Sequence, residues 1–90
     1  MAKTPVIFSS AAASASGSTY TIGAGKYAIV NLFLSGNGGA VEINGIAIKG
    51  GSSFEFHTAN GIVCPAGTTI KANGAAGSSG VIASGFLYDL

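Results

Sequence analysis

The chain has 90 residues, of which 48% are apolar and only 8% charged, and its net charge is +1. An ordinary soluble domain carries about 25% charged residues, and one this small buries only a little over about 60% of its unfolded surface. One copy therefore holds more apolar surface than it can hide, which predicts an oligomer or a subunit of a larger assembly. Four scattered lysines without arginine give no electrostatic footprint for nucleic acid. No apolar run approaches the roughly 20 residues of a spanning helix, and the short segments lack the aromatic girdles of a membrane barrel. Neither nucleic acid nor membrane is an expected partner.

Fifteen glycines against two prolines cut the sequence into short apolar segments. That punctuation predicts an all-β chain, a compact antiparallel sandwich of about seven or eight short strands. Residues 1–17, "MAKTPVIFSSAAASASG", have one lysine and a three-residue apolar patch, too short for a secretory core, so synthesis in the cytoplasm is expected. The Ala/Ser run from Ser9 to Ser16 has no apolar face to build a helix on. Residues 1–17 read as an extended N-terminal arm whose apolar tip, Pro5, Val6, Ile7 and Phe8, docks on a neighbour or a shell; residues 18–90 read as the folded domain.

"TYTI" opens that domain and "GAGK" follows it. A phosphate-binding loop needs a glycine five positions before Gly25, where Tyr20 stands, and a serine or threonine after Lys26, where Tyr27 stands. The pattern also recurs: "IGAGKYAIV" at 22–30 parallels "CPAGTTIKA" at 64–72. Both are chain corners in which a glycine supplies positive φ.

In "KYAIVNLFLS", Ala28, Val30, Leu32 and Leu34 share one face, and Tyr27, Ile29 and Phe33 share the other with Asn31. Two apolar faces suit a strand covered by a second sheet on one side and a neighbouring subunit on the other. "AVEINGIAIK" is a hairpin about Asn44-Gly45, the strongest two-residue turn signal. It pairs Ile43 with Ile46 and Val41 with Ile48 on one face, leaving Glu42, Ala47 and Lys49 on the other. In "SSFEFHT", Phe54 and Phe56 oppose Glu55 and His57. The last segment, "GVIASGFLYDL", sets Ile82, Phe86, Tyr88 and Leu90 against Val81, Ala83 and Leu87, and is expected to lie centrally in a sheet.

Candidates for chemistry are few. Cys64 and His57 could form a nucleophilic pair, but no orienting third group is apparent and a lone cysteine before a proline reads as a small apolar filler. Glu55 and His57 could offer two metal ligands, short of the four a structural zinc site takes, and they read instead as a paired, partly solvated edge. No catalytic residue, cofactor or metal is assigned, and an enzyme is not expected. The best interface residues are Pro5, Val6, Ile7 and Phe8 on the arm, with Tyr27, Ile29, Phe33, Phe86 and Tyr88 between protomers.

The order "TYTI", "GAGK", a long apolar strand, "VEINGIAI", "FEFH", "VCPAGTTIKA" and a closing "SGFLYDL" resembles the small jelly-roll virion proteins of tailed bacteriophages. These are capsid decoration (cement) proteins and related fibre or tail knobs. The resemblance spans residues 19–90, with Gly23 standing where such domains often carry proline. It implies a homotrimer located in the virion, with the major capsid protein or another virion protein as partner. It also implies a function of binding and stabilising the assembled head. A head- or tail-fibre knob or adaptor is the alternative within the same fold, and an oligomeric bacterial sandwich outside any virion stays open.

Overall fold

A computed structural model describes residues 3–12, 15–34, 39–49, 56–57, 61–74 and 80–90. These residues form nine strands and no helix: β1 Lys3–Ala11, β2 Tyr20–Thr21, β3 Lys26–Leu34, β4 Ala40–Ile43, β5 Ile46–Lys49, β6 Phe56–His57, β7 Ile62–Cys64, β8 Thr69–Asn73 and β9 Val81–Asp89. One sheet runs β1-β9-β3, with β6 and β7 pairing successive stretches of the free edge of β3; the other runs β2-β8-β4-β5. Each sheet is thus four strands wide, and every pairing is antiparallel.

The topology follows from one turn. Asn44 (φ 52°) and Gly45 (φ 78°) both adopt positive φ, the requirement of a type I′ hairpin. That turn sits at the middle of the chain. Outward from it, β4 pairs β5, β3 pairs β7, β2 pairs β8 and β1 pairs β9, each joining residues equally distant from the turn to within about three residues. The chain is one long hairpin rolled up, with β3 pairing β9 and β4 pairing β8 to close the roll. This is jelly-roll connectivity. The last strand, β9, lies between β1 and β3 as its two apolar faces predict.

The two "AG" corners behave alike: Gly25 and Gly67 both take positive φ, 75° and 88°. Ile22 N–H donates to Thr68 O and Gly67 N–H to Ile22 O, each at 2.9 Å, so the corners extend the β2–β8 ladder. The Lys26 ammonium pairs with the Asp89 carboxylate, the partner it takes in place of a phosphate.

The core lies between the sheets and is built on alternation. Ala28, Val30 and Leu32 of β3 and Val81 and Ala83 of β9 face Val41 of β4 and Ile70 and Ala72 of β8, all nearly or fully buried. Gly85 keeps the β9–β3 contact open, since a Cβ there would stand 2.0 Å from the Ile29 carbonyl oxygen.

The N-terminus departs from the sequence reading. Lys3–Ala11 is the edge strand of the first sheet, paired along its length with β9, and not an arm separate from the domain. A register shift between Ile7 and Ser9 reverses its alternation, so Phe8 and Ser9 both turn inward. Phe8 meets the Tyr20 ring edge-to-face at 5.1 Å. Ser9 Oγ donates to Ser18 O at 2.7 Å and accepts from Ala72 N–H at 2.9 Å, which satisfies a buried hydroxyl and ties the connection after β1 to the second sheet.

Candidate interaction face

The outer faces of the two sheets differ sharply. On the β2-β8-β4-β5 sheet the outward positions include Thr21, Glu42, Thr69, Lys71 and Asn73, with Glu42 opposite Lys71 and the Asn73 amide donating to the Glu42 carboxylate. That face is polar and suits water.

The outer face of the β1-β9-β3-β7 sheet is apolar. Its register arranges the residues in cross-strand rows. One row holds Lys3, Tyr88 and Tyr27, and the next holds Pro5, Phe86, Ile29 and Val63. A third holds Ile7, Ser84 and Asn31, and the fourth Ser10, Ile82 and the backbone of Phe33. Ile7 and Val63 are each 66% exposed and Ile82 41%. Tyr27 and Tyr88 stack at 4.8 Å with planes 6° apart, and Lys3 Nζ lies 4.6 Å above the Phe86 ring. The small and polar third row leaves a shallow depression of about 410 Å³ rimmed by Pro5, Ile7, Asn31, Ser84 and Phe86.

Of the interface residues expected from sequence, Tyr27, Ile29, Phe86 and Tyr88 lie on this face, and Phe33 sits on the same register parity. Pro5 and Ile7 are brought to it by β1, not by an arm. Val6 and Phe8 are turned inward, half-buried and buried, against the core. Val63 and Ile82 join the face as well; the alternation Ile62-Val63-Cys64 and the grouping of Ile82 with Phe86 carried that signal.

Cys64 lies on the inner face at 1% exposure, its thiol donating to Ile62 O at 3.7 Å. Burial pushes its pKa up from 9.0, the direction opposite to an activated nucleophile. His57 pairs through its backbone with Phe33, and Glu55 and Phe54 lie outside the described residues. Among the described residues no three His, Cys, Asp or Glu side chains gather as a metal site would require. No helix there is long and apolar enough to cross a membrane.

Comparison with protein-family models, curated proteins and solved structures returns no match.

Proposed function

We propose that the chain is a structural subunit of a tailed-bacteriophage virion, a homotrimeric decoration protein that binds the assembled head and stabilises it. The observation that carries this reading is the contrast between the two outer faces. Ile7, Val63 and Ile82 stand exposed on one, while the other is lined by Glu42, Lys71 and Asn73. A soluble monomer gains nothing from a broad apolar face on one side only, whereas a subunit that self-associates through it does. The jelly-roll connectivity and the resemblance of the sequence over residues 19–90 to virion domains supply the setting.

The mechanism is linkage. A subunit that binds the assembled shell and not its free components shifts the equilibrium towards assembly, by about 2.7 kcal/mol per site at a hundredfold excess over Kd. The major capsid protein is the partner in this reading, and no covalent step is involved.

The test is sedimentation of purified chain with assembled heads of the phage that encodes it. Binding that saturates at a fixed ratio to the capsid protein, and that raises the temperature at which heads burst, supports the proposal. A trimer that stays in the supernatant refutes decoration and turns the reading to a fibre or tail knob.

A further inference from the structure

Resting on that reading, we infer that copies of this chain pack through the outer face of the β1-β9-β3-β7 sheet about an axis parallel to the strands. The β1/β9 half of one copy then meets the β3/β7 half of the next, each cross-strand row on its own row.

Three observations lead there. The first is area. Three strands of nine residues, with the five residues of β6 and β7 in the fourth position, give the face a flat footprint of roughly 510 Å² at about 4.8 Å between strands and about 3.3 Å rise per residue. Side-chain relief enlarges that towards the roughly 800 Å² a subunit gives up in a specific interface, here divided between two neighbours. The second is composition: among the described residues the only charged side chain on these rows is Lys3, at the rim. The face thus offers an ionic partner little to bind, and a second copy of itself fits.

The third is the third row, and it fixes the orientation. The Asn31 amide and the Ser84 hydroxyl sit side by side in the depression. Neither side chain makes a hydrogen bond to another described residue. When the face is covered, both must find partners or remain as unpaired buried groups. An axis perpendicular to the strands at the centre of the face, between the second and third rows, would lay Phe86 and Ile29 of one copy over Ser84 and Asn31 of the other and leave these groups unpaired. An axis parallel to the strands instead sets Asn31 against Ser84 of the neighbour, a hydrogen bond. It also sets Pro5 and Phe86 against Val63 and Ile29 of the neighbour, a continuous apolar layer. The polar row then acts as a register lock, as one buried polar layer does in a coiled coil.

Pro5 and Val63 make this testable. Within a chain they stand three strand spacings apart, about 14 Å, beyond the roughly 7 Å Cα separation a disulfide can bridge. Between copies, row-on-row packing brings them together. Both are exposed, so Pro5→Cys and Val63→Cys each leave the core untouched, and the native Cys64 is buried. The two single variants, full length, are mixed, oxidised and run on a non-reducing gel, with light scattering on the same samples. An interchain disulfide in the mixture and not in either variant alone supports the inference. An oligomer by light scattering without that cross-link, or with equal cross-linking in each variant alone, overturns the inference and leaves the decoration reading standing. A monomer by light scattering overturns both.

Discussion

Replacing Phe8 with alanine separates an integral strand from a detachable arm. Phe8 is 4% exposed and packs edge-to-face on Tyr20. Truncating such a buried ring costs about 3–5 kcal/mol through lost transfer energy and the cavity left behind. A 90-residue domain has roughly 5–13 kcal/mol in all, so this one side chain carries a large share. At about 4–8 °C per kcal/mol for a domain of this size, the melting temperature falls by at least about 12 °C. Urea unfolding followed by circular dichroism, at several protein concentrations to separate association from folding, reads the change as a lower midpoint at unchanged slope. Ile7→Ala, one residue away but 66% exposed, is the control and shifts protomer stability by no more than about 0.5 kcal/mol. A Phe8→Ala loss under about 1 kcal/mol would show that the ring is not part of its own chain's core, and would restore the arm.

Three further outcomes follow from the same packing. Gly85→Ala drives a Cβ to 2.0 Å from the Ile29 carbonyl oxygen and costs about 3 kcal/mol or more; an unchanged melting temperature would contradict the β3–β9 path. Asn44→Ala loses the Asn44 Oδ1 acceptor of the Thr69 N–H and strains a positive φ, so it lowers the urea midpoint by about 1–2 kcal/mol equivalent, whereas Asn44→Gly keeps most of the turn. The Cys64 pKa is raised by burial above 9.0, so the folded state holds this proton where the unfolded state releases it. Its contribution is present in full below pH 9.0 and fades as pH rises through the folded value. Native protein at pH 8 should leave a thiol reagent unreacted, and denatured protein should react with one equivalent; prompt native labelling would refute the burial.

Much of this fold could be read from residues whose local physics admits one answer. Asn44-Gly45 demanded a type I′ turn, and with it the pairing of Val41 with Ile48 and Ile43 with Ile46. Gly25 and Gly67 supplied the two corners, and period-two alternation sorted the faces of β3 and β9. Those same patterns gathered Tyr27, Ile29, Phe86 and Tyr88 into a candidate face. Ile46 belongs by parity to the inner face of its hairpin yet is 70% exposed, because it lies at the turn, past the cover of the opposite sheet.

The N-terminal strand was not legible, for a physical reason. Pro5 withholds a ladder donor, which suits only an edge, and the bulge at Ile7/Ser9 moves Ser9 and Ala11 off the inward parity set by Val6 and Phe8. Alternation is therefore broken in the middle of the strand, and no window reveals it. The hydroxyl of Ser9 linking Ser18 to Ala72 is a long-range contact that sequence spacing does not encode.

The central claim is that the apolar outer face is covered by other copies of the chain. Light scattering on the purified protein across a hundredfold range of concentration tests it most directly. A covered face gives a stable species of three times 8.7 kDa that Val63→Asp or Ile82→Asp dissociates without unfolding the protomer. A species of 8.7 kDa that stays monomeric throughout that range would contradict it.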